Sequence, residues 1–363
     1  MQTKRIDEVF PLLPRLSGDT PARFDLRLNV NLMQGASQLT DAARHVEASL
    51  LYALTMTTEE IVSYYTTREA RLANEIERLD SFLVTQGERI PPRRKTALKN
   101  MQNELAMKAT SARSHLKLAK QTPSFTTVLR WKKADNFQVT KREWESFWGF
   151  YWLYKDFPEH EMVENFLYAA FASANTVKFR EKSIELGEEY LANTELLKFR
   201  PDVTFIMANA YRKEAQNQLD VVEELQTSLA TVDKERASQA KQTAEEYYER
   251  FFQLCDDFVN LMPDHKYARE FIAMMGAEFF KRRQFDGLLK KFAGFENGTM
   301  NPSAGFVNKP ELKGTKAMGI ASYMSGLALL ATGNFNEAKP LLGAVVGVSI
   351  EGLPLDQEAL QRN

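Results

Sequence analysis

His160 and Glu164 stand one helical turn apart, the spacing at which two side chains of one helix share a metal ion or a proton. A hydrolytic zinc helix needs two histidines at that spacing with a glutamate beside the first, and the chain contains no H-E-x-x-H. A lone His/Glu pair of this kind reads as a surface contact. Four histidines and one cysteine, Cys255, are also few donors for a transition metal. No G-x-x-x-x-G-K phosphate-binding loop is present: Gly314-Thr315-Lys316 lacks the upstream glycine and the strand that aim backbone N–H groups at a phosphate. Neither G-x-S-x-G nor a Cys-His arrangement is present, and Cys255 lies among Phe251, Phe252 and Phe258 as a small buried hydrophobe would. The neighbouring carboxylates Glu188-Glu189 and Glu245-Glu246 point to different sides of a helix and read as solvated. The expectation is a non-enzyme with no cofactor, no metal and no catalytic residue.

What remains is recognition. The 363 residues carry 47 Lys plus Arg against 48 Asp plus Glu, a net charge of -1, so no whole-chain field draws the protein to nucleic acid, and none is expected as a partner. No apolar run approaches eighteen residues, so no transmembrane segment is expected. Asp7, Glu8, Pro11 and Pro14 interrupt the stretch where a signal peptide would need a continuous apolar core. The chain as written therefore reads as cytoplasmic, or as periplasmic if it is a processed mature form. Neutrality conceals a local excess: residues 88–133 hold twelve Lys or Arg against two Glu. Lys95, Lys99, Arg113, Lys117 and Lys120 fall within roughly 60° of one another at about 100° per residue, forming a basic stripe. Two readings stay open: a docking face for an acidic protein, phosphate or lipid surface, or a solvated face balanced by Glu69, Glu75 and Glu77.

The elements that carry these residues are helices. Residues 1–40, punctuated by Pro11, Pro14, Gly18, Pro21 and Gly35, read as an irregular N-terminal arm. From Asp41 to Val84 neither Pro nor Gly occurs, and apolar residues from Ala43 through Ile61 and Leu72 to Leu83 recur in steps of three, four or seven, predicting one helix on the order of 65 Å long. Gly87 and Pro91-Pro92 make a turn, and Leu98, Met101, Leu105, Ala112, Leu116 and Ala119 mark a second stripe, so 41–122 should form a long antiparallel hairpin ended by Pro123. Residues 123–140 read as a linker. All four tryptophans lie between Trp131 and Trp152, and eight of the fourteen residues from Trp144 to Phe157 are aromatic. That density suits either the packed joint between the hairpin and the helices C-terminal to it or a peptide-binding groove.

Ser322 to Leu342 reads S-Y-M-S-G-L-A-L-L-A-T-G-N-F-N-E-A-K-P-L-L, with Gly326 and Ala328 small where two helices cross, Leu329 large beside them, Gly333-Asn334 at a turn, and Phe335, Ala338 and Leu342 on the next helix. This segment resembles a tetratricopeptide repeat. Weaker copies precede it, at Met275-Gly276, Phe279, Phe285 and Phe292 with Arg283 in place of the turn glycine, at Met207-Ala208, Ala210 and Tyr211, and at Leu167, Ala170 and Phe171 followed by Ile184, Gly187 and Leu191. Pro158, Pro201 and Pro263 each stand before an acidic residue, as where one repeat closes and the next opens. The resemblance covers about residues 141–350, with irregular spacing between copies. Phrases such as Asp156-Phe157-Pro158-Glu159-His160 and Met262-Pro263-Asp264-His265 also look like bacterial envelope repeat proteins of the outer-membrane assembly lipoprotein type, without their lipid-bearing cysteine near the start.

The expected fold is therefore all-α, a tetratricopeptide-like solenoid over 141–363 behind the long hairpin. It carries a polar stretch at Gln226–Thr243, a Gly- and Asn-rich surface loop at 293–315 that either sends Phe295 and Phe306 to a concave face or a neighbour or is a merely tolerated insertion, and Leu353–Arg362 as a partial cap. The resemblance implies a scaffold that holds a peptide or protein surface in its concave face. The candidate contact residues are Asn209, Arg212, Lys213, Asn217, Lys281, Arg282, Tyr323 and Ser325. The alternative is a structural subunit of a large assembly, homo- or hetero-oligomeric, in which the hairpin oligomerises or docks.

Overall fold

The computed structural model describes residues 10–16, 18, 20–86, 88–225 and 231–345, and over them the chain is all-α apart from a two-stranded ribbon, Phe295–Glu296 paired with Thr299–Met300. It divides into two compact units, Met1–Ser183 and Ile184–Asn363, with the boundary inside one helix. The first unit contains α1 (Leu26–Asp41), α2 (His45–Leu54), α3 (Thr58–Gln86), α4 (Pro92–Gln121), α5 (Thr126–Val139), α6 (Glu143–Asp156), α7 (Val163–Thr176) and the start of α8 (Arg180–Ala192). The second holds α9 (Arg200–Leu225), α10 (Thr231–Leu261), α11 (Lys266–Lys281), α12 (Phe285–Ala293), α13 (Lys316–Ala331) and α14 (Phe335–Gly343). Within each unit consecutive helices pack on one another, as in helical repeat folds.

One turn recurs five times. Ala43, Lys141, Lys178, Arg283 and Gly333 adopt left-handed φ values of 58, 61, 59, 54 and 82°. The next N–H in each case donates to a carbonyl five residues back: Arg44 to Leu39, Arg142 to Phe137, Phe179 to Ala174, Gln284 to Phe279 and Asn334 to Leu329, all at 2.8–2.9 Å. This bond closes the outgoing helix. The carbonyl of that same residue opens the next helix by accepting from Ala48, Ser146, Ser183, Leu288 and Ala338. All five are buried, and four are Ala or Ser. The residues twelve positions earlier, Ala36, Ala134, Phe171, Gly276 and Gly326, are buried too, and only Phe171 is large. Small side chains at these sites let paired helices approach closely. A Cβ on Gly326 would stand 2.5 Å from Leu342 Cγ, and one on Gly149 would stand 2.7 Å from the Cβ of Ala134.

Several expectations give way here. The supposed arm contains α1, because Asp25 caps it by accepting from Leu28 N at 2.9 Å, and Gly35 is a crossing residue facing Leu51 rather than a breaker. The single helix drawn from Asp41 is broken twice, by the turn at Ala43 and again at Thr55–Thr57. The second break is a capping box: Thr57 N donates to Glu60 Oε2 at 2.7 Å, and Glu60 N to Thr57 Oγ1 at 3.2 Å. Buried Asn29 holds that break, accepting from Met56 N at 2.7 Å while its amide donates to the carbonyls of Arg23 and Asp25. The presumed linker carries α5, which pairs with α6 through the turn at Lys141. Met207, Ala208 and Tyr211 do not begin a short repeat; they lie on α9, which pairs with the 31-residue α10 as a long hairpin.

The long hairpin of the first unit is α3 and α4. Glu69 meets Arg113 at 2.7 Å and Asp80 meets Gln102, which fixes an antiparallel register. Its base is tied to α5, since Thr58 N donates to Thr126 Oγ1 at 3.1 Å and Phe125 N to Thr58 Oγ1 at 3.2 Å. Residues 231–243 of the polar stretch are helical, as part of α10. The expected cap at Leu353–Arg362 and the interval 226–230 lie outside the described residues.

Candidate functional site

The aromatic block splits into two faces of α6. Its apolar content and Phe/Leu spacing turn Phe147, Phe150 and Leu153 inward, where they are at most 2% exposed, while Trp144, Trp148 and Trp152 are 50%, 40% and 49% exposed. The three tryptophans are four residues apart, hence one above another on the outer face, and span about 12 Å of helix. The core reading of this segment describes Phe147, Phe150 and Leu153, while the three tryptophans leave the other side of the same helix exposed. Trp131 belongs to the inner side, packed on Phe150 at 4.8 Å and Phe166 at 5.7 Å.

The outer rings are organised by their neighbours. Trp148 and Trp152 lie within 24° of parallel with centroids 6.4 Å apart, and Tyr151 stands nearly perpendicular to both, at 5.6 and 5.4 Å. Trp144 leans on Phe179 at 5.6 Å, next to the left-handed turn at Lys178. Two ammonium groups attend the cluster: Lys155 Nζ is 4.6 Å from the Tyr154 centroid, and Lys182 Nζ is 5.6 Å from that of Tyr151. At the head of the row, backbone N–H donation at the helix start and the Arg142 guanidinium at 2.9 Å hold the Glu145 carboxyl below its ordinary range. The result is a rigid aromatic ridge bounded by fixed charges. Such a surface offers contact area at little entropic cost, because each indole is already held by its neighbours. The tryptophans were visible as a cluster in the sequence, and their common spacing of four is the signal that would have set them apart from the Phe/Leu face.

The candidate contact residues of the second unit do not form one surface. Asn209 donates to the Phe205 carbonyl of its own helix, Arg212 reaches Asn209, and Asn217 donates to Glu214. Lys281 on α11 donates to Gln216 on α9, and Lys213 and Lys281 are exposed while Asn217 is half-buried. Arg282 is an internal strut: its guanidinium is paired with Glu245 and lies 4.1 Å from the Tyr248 centroid. Ser325 is wholly buried and donates to the Ala321 carbonyl at 2.7 Å, so a partner cannot reach it. Tyr323 is half-buried, and burial pushes its phenol above the usual value.

In the basic stripe Lys99, Arg113, Lys117 and Lys120 are exposed and Lys95 is partly so. Arg113 is spoken for by Glu69. The Gly-rich loop is ordered rather than extended toward a partner. Phe306 is buried on Phe292 at 5.3 Å, and the Asn308 amide donates to the carbonyls of Ala293, Asn301 and Ala304. Phe295 is half-buried in the ribbon. A cleft of about 720 Å³ lies beside this loop, where Lys291 faces Asp256 at 3.4 Å and Lys309 binds Asn260. Cys255 is buried and desolvation pushes its thiol well up, which removes the thiolate that nucleophilic chemistry needs. His160 Nδ1 accepts from Met162 N at 3.1 Å, a local turn contact, and among the described residues no group of three or more His, Cys, Asp or Glu is placed to hold a metal ion. No helix among the described residues is long and apolar enough to cross a membrane.

No protein-family model matches the chain, and no match was found among curated proteins or among solved structures.

Proposed function

We propose that this protein is a non-enzymatic interaction scaffold of tetratricopeptide-like helical hairpins, and that it grips a protein partner through the tryptophan ridge of α6. The observation that carries the reading is the row Trp144, Trp148, Trp152, half exposed on a helix whose opposite side is core. Tryptophan is enriched among the residues that dominate interface energy, and contiguous exposed apolar patches mark interaction sites. The five recurrent turns support the scaffold part, since each fixes a helix pair without help from a ligand. Of the concave-face candidates, Lys213 and Lys281 stay in the proposal as exposed polar groups for a separate contact on the second unit.

The test is partner capture with the tagged full chain in its native source, comparing wild type with Trp144→Ala/Trp148→Ala/Trp152→Ala and with Lys213→Glu/Lys281→Glu. The reading expects partners that the triple variant loses while its thermal unfolding stays close to wild type. A partner set identical in wild type and triple variant would sink it. Charge reversal at Arg282 is not a usable probe, because it breaks the Glu245 and Tyr248 contacts inside the fold.

A further inference from the structure

The hairpin of α3 and α4 is covered at its base and bare toward its tip. Near the base Ile61, Tyr65, Leu72, Leu105, Ala109, Ala112 and Leu116 are buried; beyond them Phe82, Val84 and Met101 are 42%, 87% and 52% exposed. Between the helices runs an apolar groove of about 320 Å³ whose floor and walls are Leu79, Phe82, Met101 and Leu105, with Glu75 and Arg78 at one edge. Both helices present these residues at helical spacing, three apart on α3 and four apart on α4. The seam that pairs α3 with α4 thus stays open on one side over these residues.

The charges on its rim have one dominant sign. Arg94 and Lys108 fall within about 20° of Met101 around α4, at about 100° per residue, and so mark the two ends of the groove. Arg78 stands on the α3 edge. All three are exposed, and among the described residues none of them makes an ion pair. Glu75, the acidic residue in the lining, is already bound to Arg71 at 2.9 Å. An open apolar channel with unpaired cations along it is complementary to a helix with an apolar stripe and acidic shoulders.

We propose that this groove is a docking site for an acidic amphipathic helix of a partner protein, which completes a three-helix bundle on the hairpin. A concave seam lined at helical spacing favours a helix over a lipid surface, because a bilayer is met by a convex apolar face rather than a channel. The surface shares no residue with the tryptophan ridge, so either reading can fail alone.

The probe is a synthetic, fluorescently labelled helical peptide of roughly 16 residues, with leucines on one stripe and glutamates on its flanks. A matched peptide carries lysine for glutamate. The full chain should bind the acidic peptide and not the basic one, more weakly as salt is raised. Arg78→Glu/Arg94→Glu/Lys108→Glu, which alters exposed side chains and leaves the seam intact, should weaken the acidic peptide at least about tenfold and admit the basic one. Phe82→Ala/Met101→Ala should weaken both combinations. Equal binding of the two peptides, or equal binding of the acidic peptide by wild type and the charge-reversed variant, overturns the proposal. So does binding to mixed phosphatidylcholine and phosphatidylglycerol vesicles without binding of the acidic peptide, which would make the basic rim a lipid contact.

Discussion

The short helix pairs and the long hairpin of α3 and α4 solve one problem differently. A short pair such as α5 and α6 is closed by its turn and by small residues at the crossing, so that Ala134 and Gly149 bring the two backbones together. Its large residues are then free to face inward from both helices or, on α6, outward. The long hairpin buries the alanines Ala109, Ala112 and Ala119 in its seam but has no glycine on either helix. It relies on one apolar seam, and that seam is sealed only where α5 and the N-terminal segment flank its base, through Thr58, Thr126 and the Tyr65 hydroxyl on the Pro21 carbonyl at 3.3 Å. Exposed apolar surface therefore arises in two ways. A closed pair exposes side chains by choice of residue type, whereas the hairpin exposes apolar surface because nothing in the described chain covers it.

The largest effect should come at the joint between the two designs. Asn29 is fully buried, and all its polar atoms are engaged where α2 hands over to α3. Asn29→Ala strands the Met56 N–H and the Arg23 carbonyl, while the Asp25 carbonyl keeps its bond from the backbone N–H of residue 29, and should destabilise the first unit by about 3 kcal/mol in urea unfolding. Next in size is the crossing itself. Gly149→Ala places a Cβ 2.7 Å from Ala134 Cβ and 3.4 Å from its Cα, so backbone must move, at a cost of about 2 kcal/mol. An addition on the exposed face of the hairpin, Ala106→Val, should cost less than about 1 kcal/mol, the helix-propensity difference alone. Equal effects at the two sites would mean that the pairs are not held by close crossing.

Third come the turns. Four of the five left-handed residues are Ala43, Lys141, Lys178 and Arg283, which bear backbone strain that Gly333 does not. Replacing any of the four by glycine should stabilise by roughly 0.5–1 kcal/mol, and Gly333→Ala should cost about 1 kcal/mol, read from thermal unfolding. This is also why so little of the array is legible in the residue types. Only the last copy shows a glycine at the turn, and only there was the repeat evident; α1/α2 and α5/α6 have the same hydrogen bonds without that letter. Gly35 and the early prolines misled in the opposite direction, because glycine at a helix crossing and glycine at a break are written alike. Thr57 and Glu60 did spell out a capping box, but an unbroken apolar period ran through it and concealed the break. At the site, the aromatic density was legible while its partition was not. That partition depends on which face of α6 meets α5 and α7, a tertiary fact that residue types alone leave open.

The smallest effect is an alkaline one, and it separates burial in the core from partial exposure on the ridge. Burial first, then hydrogen bonding to Glu188, pushes the Tyr211 phenol up to about 12; burial first, then the Glu278 carboxylate, does the same for Tyr248. Tyr65 of the first unit is likewise raised to about 12 by burial. A phenol with a raised folded pKa keeps its proton after the unfolded chain has begun to lose it. The stability this contributes is complete below about pH 10, the ordinary tyrosine value, and is lost as pH rises from there through about 12. Tyrosinate absorbance of the native protein should therefore show these three phenols ionising late, together with loss of structure. In Tyr248→Phe one late proton should disappear while the Arg282 guanidinium still has a ring to lie on. If Tyr248→Phe leaves the late phase unchanged, the residue is not buried as described. The packing of α10 against α11 around Phe252 and Phe279, stacked at 4.4 Å, would then be looser than these contacts require.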